Sequence, residues 1–358
     1  MHMLNDTTIT EALRTVQDPE LHRDIVSLDM VKEIHIDGEA VALKIDLTTP
    51  ACPLKDQIGE EVESKVKALG AADVSIEWGA SVRRATPGQQ QENLVPGVKN
   101  IIAVASGKGG VGKSSVAVNL ATALALEGAT VGLLDADITG PNIPQMMGVE
   151  GQPSATPEGK IRPLERYGVK VISIQFFVPE GQPIVWRGPL VGGAIQQFLR
   201  DVDWGELDYL VVDMPPGTSD AQLTLAQSVP VTGSVLVTTP QDVALSDVEK
   251  AFNMFERMSV PTLGVVENMS AFICPHCDEP TEIFGRGGAE RFAEAHDLHY
   301  LGGIPLDMKM RQGGDAGVPA VAQREPGPAA QTLREIARAV AGRVSVQAAE
   351  EAPVLTIT

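Results

Sequence analysis

The run Ser106-Gly107-Lys108-Gly109-Gly110-Val111-Gly112-Lys113-Ser114 narrows the possible folds of this chain more than any other feature. An apolar stretch, residues 101–105, leads into it, and an Ala/Leu-rich stretch leaves it toward Glu127. A glycine-rich turn joining a buried strand to a helix satisfies G-x-x-x-x-G-K-[ST] in the setting that pattern requires. The glycines let backbone N–H groups curl around phosphate oxygens, and the helix N-terminus adds its dipole. Lys113 is then placed to reach the terminal phosphates, and the Ser114 hydroxyl to ligate Mg²⁺. The expected nucleotide-binding set is Gly107, Lys108, Gly109, Gly110, Val111, Gly112, Lys113, Ser114 and Ser115.

From Lys99 onward apolar strands alternate with helices, the pattern of a mainly parallel sheet covered on both faces. Strands are expected at 101–105, 130–134, 169–174, 209–212, 234–238 and 262–266. The fold class is therefore α/β: a mainly parallel, doubly wound P-loop NTPase sheet, preceded by a small N-terminal α/β domain. Ligands of such sheets bind beyond the carboxyl ends of the strands. Nearly every motif described below falls there.

The N-terminal block, 1–82, is expected to hold a helix bearing Ile9, Leu13 and Val16, closed by Asp18-Pro19. A hairpin follows, 31–36 and 41–47 around Asp37-Gly38, a pair that favours a type I′ turn. A loop at 48–53, a second helix at 58–69 and a last strand at 74–78 complete it. Residues 83–97 are polar, carry two prolines and read as a linker. The second domain spans 98–345, and 346–358 is a tail.

The formal charge of −19 has the wrong sign for a protein that coats nucleic acid. No apolar run reaches the roughly 18–20 residues of a membrane span, and the N-terminus lacks the pattern of a secretory signal. Three cysteines in 358 residues do not make a disulfide framework. A cytoplasmic protein acting on neither nucleic acid nor membrane is expected.

Two acidic motifs end predicted strands. Leu133-Leu134-Asp135-Ala136-Asp137 places carboxylates where they meet Mg²⁺ or orient an attacking water. Tyr209-Leu210-Val211-Val212-Asp213 is a Walker B-like element, and Pro215-Pro216-Gly217-Thr218 follows as a switch loop near the γ-phosphate. The guanine clamp N-K-x-D is absent, which favours ATP over GTP.

Cys274-Pro275-His276-Cys277 follows the last expected strand. Thiolates bind Zn²⁺ and iron–sulfur clusters, and C-x-x-C lets two sulfurs reach one centre. A four-sulfur site needs two more ligands, and only Cys52 remains in the chain. Two chains each giving Cys274 and Cys277 would supply four thiolates, suited to a bridging [4Fe–4S] cluster. A redox pair, a dimer-bridging structural Zn²⁺ and two inert cysteines are the alternatives. His276 reads as a solvated loop residue.

Together GKGGVGKS, LLDADITGPNIPQMMG, WRGP at 186–189, VVDMPPGTSD, NMSAFICPHC, IFGRGGAE and GGIPLD resemble the Mrp/ApbC family of iron–sulfur carrier P-loop ATPases over residues 98–342. The second loop lysine, Lys108, resembles the signature lysine of the wider deviant Walker A group, which includes MinD, ParA, nitrogenase iron protein and arsenite-pump ATPases. In that group the lysine crosses a dimer interface to the partner's nucleotide. The resemblance implies that Asp137 orients water, that Asp135 and Asp213 support the metal, and that Asn268 with Pro305-Leu306-Asp307 contacts adenine. The catalytic set it implies is Lys108, Lys113, Asp137 and Asp213.

DPEL at 18–21, IVSLDMV at 25–31 and LTTPACP at 47–53 are similar to the small domain of iron–sulfur targeting, SufT-like proteins. Cys52 there is either an aid to cluster transfer or a packed core thiol. Ser219 and Asp278 depart from the family pattern, where glycine is commoner at both places. The resemblance implies a homodimer holding a [4Fe–4S] cluster on Cys274 and Cys277, passing it to apo iron–sulfur proteins under control of slow ATP hydrolysis. The rival is a partitioning or positioning ATPase acting on a membrane or DNA surface, with structural Zn²⁺ on the cysteines. Residues 333–344 have the apolar stripe such a protein could use, but no aromatic anchor, and read as a docked terminal helix.

Overall fold

The computed structural model describes residues 4–85, 93–138, 140–178, 188–218, 220–277 and 279–350. Trp186 and Arg187 of the WRGP motif, residues 86–92 of the linker, Ser219 and Asp278 lie outside them. The chain divides into two compact units, one of residues 1–84 with 341–358, the other of residues 85–340.

In the first unit helix α1 (Asp6–Leu13) starts at a reciprocal cap between Asn5 and Thr8. Strands β1 (Val31–Asp37) and β2 (Ala40–Leu47) pair antiparallel, and helix α2 (Lys55–Ala68) returns the chain so that β3 (Asp73–Ala80) lies parallel to β2. Alternation puts Val41, Leu43, Ile45 and Leu47 on one face of β2. There they pack with Ile9, Leu13, Ile58, Val62 and Val66 as a core. The turn differs from expectation. Asp37 pairs with Ala40, so the central residues are Gly38 and Glu39, and of the two only Gly38 has positive φ. That is the type II′ requirement, glycine first, and not type I′.

The second unit begins with β4 (Val98–Ser106), helix α3 (Lys113–Leu126) and β5 (Val131–Asp135), then the short helix α4 (Ile143–Met147). Strands β6 (Leu164–Arg166) and β7 (Val169–Ile172), helix α5 (Gly188–Asp201), β8 (Leu207–Asp213), α6 (Asp220–Ser228) and β9 (Gly233–Thr238) follow. Helix α7 (Asp242–Arg257), β10 (Thr262–Ile273), β11 (Pro280–Thr281), α8 (Gly288–Ala295), β12 (Tyr300–Leu306), α9 (Met308–Asp315) and α10 (Pro328–Glu350) complete the chain.

These strands form one nine-stranded sheet in the order β6-β7-β5-β8-β4-β9-β10-β11, with β12 also on β10. Neighbours from β7 to β10 are parallel, as is β12 on β10, and the short β6 and β11 are antiparallel. From β4 the chain runs out to β5, β6 and β7, comes back to insert β8 between β5 and β4, and then crosses to β9 and beyond on the other side. The switch point therefore lies at the carboxyl end of β4, where the phosphate-loop motif begins. Helix α3 is apolar on nearly all sides because it is buried from Val116 through Leu124.

All six expected strands form, with β7 ending at Ile172 because Ile174 opens a 3₁₀ turn capped by Ser173. Strand β12 was not expected from the sequence. Helix α10 is longer than its apolar stripe, reaching Glu350, and Leu333, Ile336, Val340 and Val344 are buried. No described helix is long and apolar enough to cross a membrane.

Candidate functional site

An open cleft of about 590 Å³ lies at the carboxyl ends of the central strands. Ser106, Lys108, Gly109, Gly110, Gly112, Lys113, Ser114 and Ser115 line one end of it, with Asp137 and Pro216. Gly112 sits in the left-handed region at φ +84°, immediately before α3, and a Cβ there would overlap the Asn268 amide. Only glycine meets both conditions.

Asp213, at the end of β8, binds two loop residues at once. Lys113 Nζ donates to its Oδ1 at 2.7 Å, and the Ser114 hydroxyl donates to Oδ2 at 2.7 Å. Asp137 Oδ2 is 3.7 Å from the same ammonium. Burial raises the Asp213 carboxyl, an effect that Lys113 opposes. The lysine thus stands between two carboxylates, with its positive charge held beside the glycine loop.

Asp135, expected at the metal, does not line this cleft. It is fully buried behind it, where Oδ2 accepts from the Ser173 hydroxyl at 2.8 Å and Oδ1 has no protein partner. Burial first, and then the nearby charge of Asp213, push its carboxyl well above the usual range. The strand ends at Asp135, which stays in the interior, and Asp137, two residues past the strand end and so released from its alternation, lines the cleft.

The switch loop is pinned by a residue the sequence reading passed over. Gln222, from α6, donates to the carbonyls of Pro215 at 3.0 Å and Gly217 at 2.8 Å, while Gly217 N–H donates to Ser106 O at 2.9 Å. Gly107 runs so close to α7 that a Cβ would overlap the Asp247 backbone, and the Lys108 charge is felt at the Asp247 carboxylate.

Asn268, on β10, donates from its side chain to Val111 O at 2.9 Å, and its Oδ1 accepts from Met269 N–H at 3.0 Å. It braces the phosphate loop. Pro305 and Asp307 line the far part of the cleft, yet the Asp307 carboxylate is turned to helix starts, accepting from Lys309 N–H at 2.8 Å and Ala329 N–H at 3.2 Å. Asn142, Gln145 and Met146 of the α4 segment and Met310, Arg311, Gly314 and Asp315 of α9 form the remaining wall. The α4 residues fall inside LLDADITGPNIPQMMG but received no role from it, and the α9 residues lie outside every motif, so sequence reasoning missed both.

The cysteine pair follows the strand that carries Asn268. Met269 adopts φ +59°, and the β10–β12 register shifts between Asn268 and Phe272. β10 then turns into a hairpin, in which Ile273 pairs with Pro280 and Cys274 N–H donates to Glu279 O at 3.1 Å. Cys274 is half-buried and Cys277 exposed. Among the described residues no group of three or more His, Cys, Asp or Glu side chains is placed to hold a metal ion. Cys52, by contrast, is buried in the core of the first unit, and that burial pushes its thiol up to about 11.

Known proteins resemble the chain along nearly all its length. Residues 97–341 match the model of the NUBPL iron-transfer P-loop NTPases, and residues 6–78 that of an iron-sulfur cluster assembly protein. The iron-sulfur cluster carrier protein of Deinococcus radiodurans is 53% identical over 353 residues, 98% of each chain. That of Escherichia coli K12 is 44% identical over 344 residues, 94% of this chain and 91% of the other. A nucleotide-binding protein from Archaeoglobus fulgidus, solved with ADP, is 43% identical. Its match covers 64% of this chain and 90% of that one, with a TM-score of 0.57.

Proposed function

The chain belongs to the iron–sulfur cluster carrier branch of the P-loop NTPases, and from that premise we propose that it is a cytoplasmic, ATP-hydrolysing homodimer that carries a [4Fe–4S] cluster to apo iron–sulfur proteins. The cluster is cargo, held by Cys274 and Cys277 of each of two chains. Four thiolates suit such a cluster, and one hairpin supplies two.

ATP would lie in the cleft with its phosphates on the backbone N–H groups of residues 107–115. The hard oxygen donors of Ser114 and Asp137, which line the cleft, fit Mg²⁺, which takes few protein ligands and keeps water and phosphate oxygens, and Asp213 holds the Ser114 hydroxyl from behind. Bound there, Mg²⁺ would neutralise charge developing between the phosphates. Lys113 binds the terminal phosphates, Asp213 holds Lys113 and Ser114, and Asp137 orients the attacking water. Lys108 acts on the nucleotide of the second chain.

One observation carries the coupling: Asn268, which braces the phosphate loop, and Cys274, which opens the cysteine loop, lie on or directly after one strand. Six residues of extended chain span at most roughly 20 Å. Nucleotide state biases cluster affinity only if it favours one arrangement of the dimer over another. A strand fixed at both ends is a physical route for that bias.

The test is anaerobic reconstitution with iron and sulfide of wild type and Cys274→Ser. Expected are broad visible absorbance, about two irons per chain, and a dimer that transfers cluster to an apo-acceptor faster with MgATP. Loss of iron in the variant is part of the expectation. A colourless protein that binds Zn²⁺ and co-sediments with liposomes or DNA would establish the rival, surface-acting ATPase instead.

A further inference from the structure

The chain leaves the cysteine loop through a segment that needs an anchor of its own. Pro280 and Thr281 pair with Ile273 and Phe272, and this exit strand, β11, is only those two residues long. Two tight turns follow, with Ile283 N–H donating to Thr281 O at 3.1 Å and Gly285 N–H to Glu282 O at 3.3 Å. Helix α8 then starts at Gly287, which adopts φ +67°. Glycine has no side chain with which to satisfy the first N–H groups of the helix it opens.

Glu267, on β10, supplies that cap from the sheet. It is 1% exposed, and its Oε1 accepts from Gly287 N–H at 3.1 Å and its Oε2 from Ala289 N–H at 2.9 Å. Hydrogen bonds to a carboxylate at a helix N-terminus are among the stronger kinds. Gly288, between the two donors, lies so close to the chain entering α7 that a Cβ there would overlap Pro240 O. Successive residues of a strand face opposite sides. Asn268 therefore reaches the phosphate loop from one face of β10, and Glu267 reaches the start of α8 from the other.

We propose that Glu267 is the positioning residue of the cysteine loop: it fixes the leg by which the chain leaves, as β10 fixes the leg by which it enters, and so sets how firmly Cys274 and Cys277 keep the cluster. This rests on the reading of those cysteines as the cluster's ligands. The Glu267 carboxylate is occupied by α8, so it acts through the backbone of the loop it anchors and not as a ligand. Two thiolates grip one centre well when their geometry is fixed beforehand. Groups that orient ligands from behind commonly change metal affinity about tenfold to 100-fold.

The test follows iron leaving the reconstituted protein to the chelator ferrozine, anaerobically and well below the melting temperature. Glu267→Ala should lose iron about tenfold faster than wild type. Glu267→Gln, which keeps one carbonyl oxygen for the two N–H groups, should fall between them. ADP affinity by calorimetry should stay within about threefold of wild type in both, since the side chain faces away from the phosphate loop. A Glu267→Ala protein that melts lower yet keeps iron as long as wild type would make the residue a helix cap only and overturn the proposal. If that variant does not fold, hydrogen exchange in wild type decides. Coupling is reciprocal, so loading the cluster should slow exchange in the peptide 282–290 about tenfold relative to metal-free protein, and unchanged exchange overturns the assignment. Wild type that takes up no iron and sulfide would instead overturn the cluster reading, and this assignment with it.

Discussion

The side chain of Asn268 donates to the carbonyl of Val111 at 2.9 Å, so the strand leading to the cysteine hairpin is fastened to the middle of the phosphate loop. One neutral hydrogen bond of this kind contributes about 1 kcal/mol. Asn268→Ala should therefore weaken MgATP about fivefold to tenfold by calorimetry. It should also make cluster release insensitive to nucleotide. A variant with weakened ATP but an intact nucleotide effect on transfer would place the coupling elsewhere than β10.

Two carboxylates face Lys113, and their removal should have different consequences. Asp213 is buried at 2.7 Å from the ammonium, whereas Asp137 is at 3.7 Å and lines the cleft. Asp213→Asn leaves a buried lysine short of its nearest counter-charge, which costs about 3 kcal/mol in denaturant unfolding of the nucleotide-free protein. Asp137→Asn should change stability little and slow phosphate release by about 100-fold. Equal stability losses in the two variants would argue against this division of roles.

Asp135 sets a pH dependence of opposite sign to an ordinary ion-paired carboxylate. Its carboxyl is raised by burial, and then by the charge of Asp213. Such a group contributes stability that is fully present below its unfolded value, 3.8, and is lost as pH rises through the folded value. Asparagine keeps the uncharged form throughout. Asp135→Asn should melt about 2–4 °C above wild type near neutral pH, the gap closing as pH falls toward 4. A variant less stable than wild type at neutral pH would mean that ionised Asp135 is stabilised in the fold.

The three thiols should separate by reactivity. Cys277 is exposed, Cys274 half-buried, and Cys52 buried with its thiol pushed up to about 11. Thiolate is the reacting form. Iodoacetamide followed by peptide mass spectrometry of metal-free protein at pH 8 should label Cys277 first and Cys52 last. Labelling of Cys52 should climb about tenfold per pH unit until about pH 11. Early labelling of Cys52 would favour a role in transfer over packing.

Where one short stretch determines its own conformation, the chain was readable. The glycine loop, the strand before it and the helix after it needed no distant partner to be inferred. Strand β12 was not readable, since Gly302, Gly303 and Pro305 are poor strand formers and the segment is held by parallel pairing to β10. Helices α4 and α9 are short, and α9 holds Gly313 and Gly314. They become cleft wall only by facing each other. The hairpin turn depended on which residues pair, which composition does not specify. Asp135 was expected at the metal but is held in the interior by Ser173, because the direction of a side chain at a strand end is a property of its neighbours.

Lys108 distinguishes what one chain does alone from what two do together. The loop places it at the cleft and beside α7, where its charge is felt at Asp247, while Lys113 stands between the carboxylates of Asp137 and Asp213. Phosphate binding within one chain thus rests on Lys113 and the loop N–H groups. Lys108→Ala should bind ADP within about threefold of wild type, a difference below 1 kcal/mol. If Lys108 reaches a second chain, ATP-driven association should disappear in the variant, because ADP lacks the γ-phosphate the lysine would meet. Sedimentation of both proteins with ADP and with a non-hydrolysable ATP analogue gives the answer. Wild type should dimerise with the analogue and the variant should not. A variant that dimerises normally with the analogue would confine Lys108 to its own chain, and the second chain's contribution to hydrolysis would have to come from another residue.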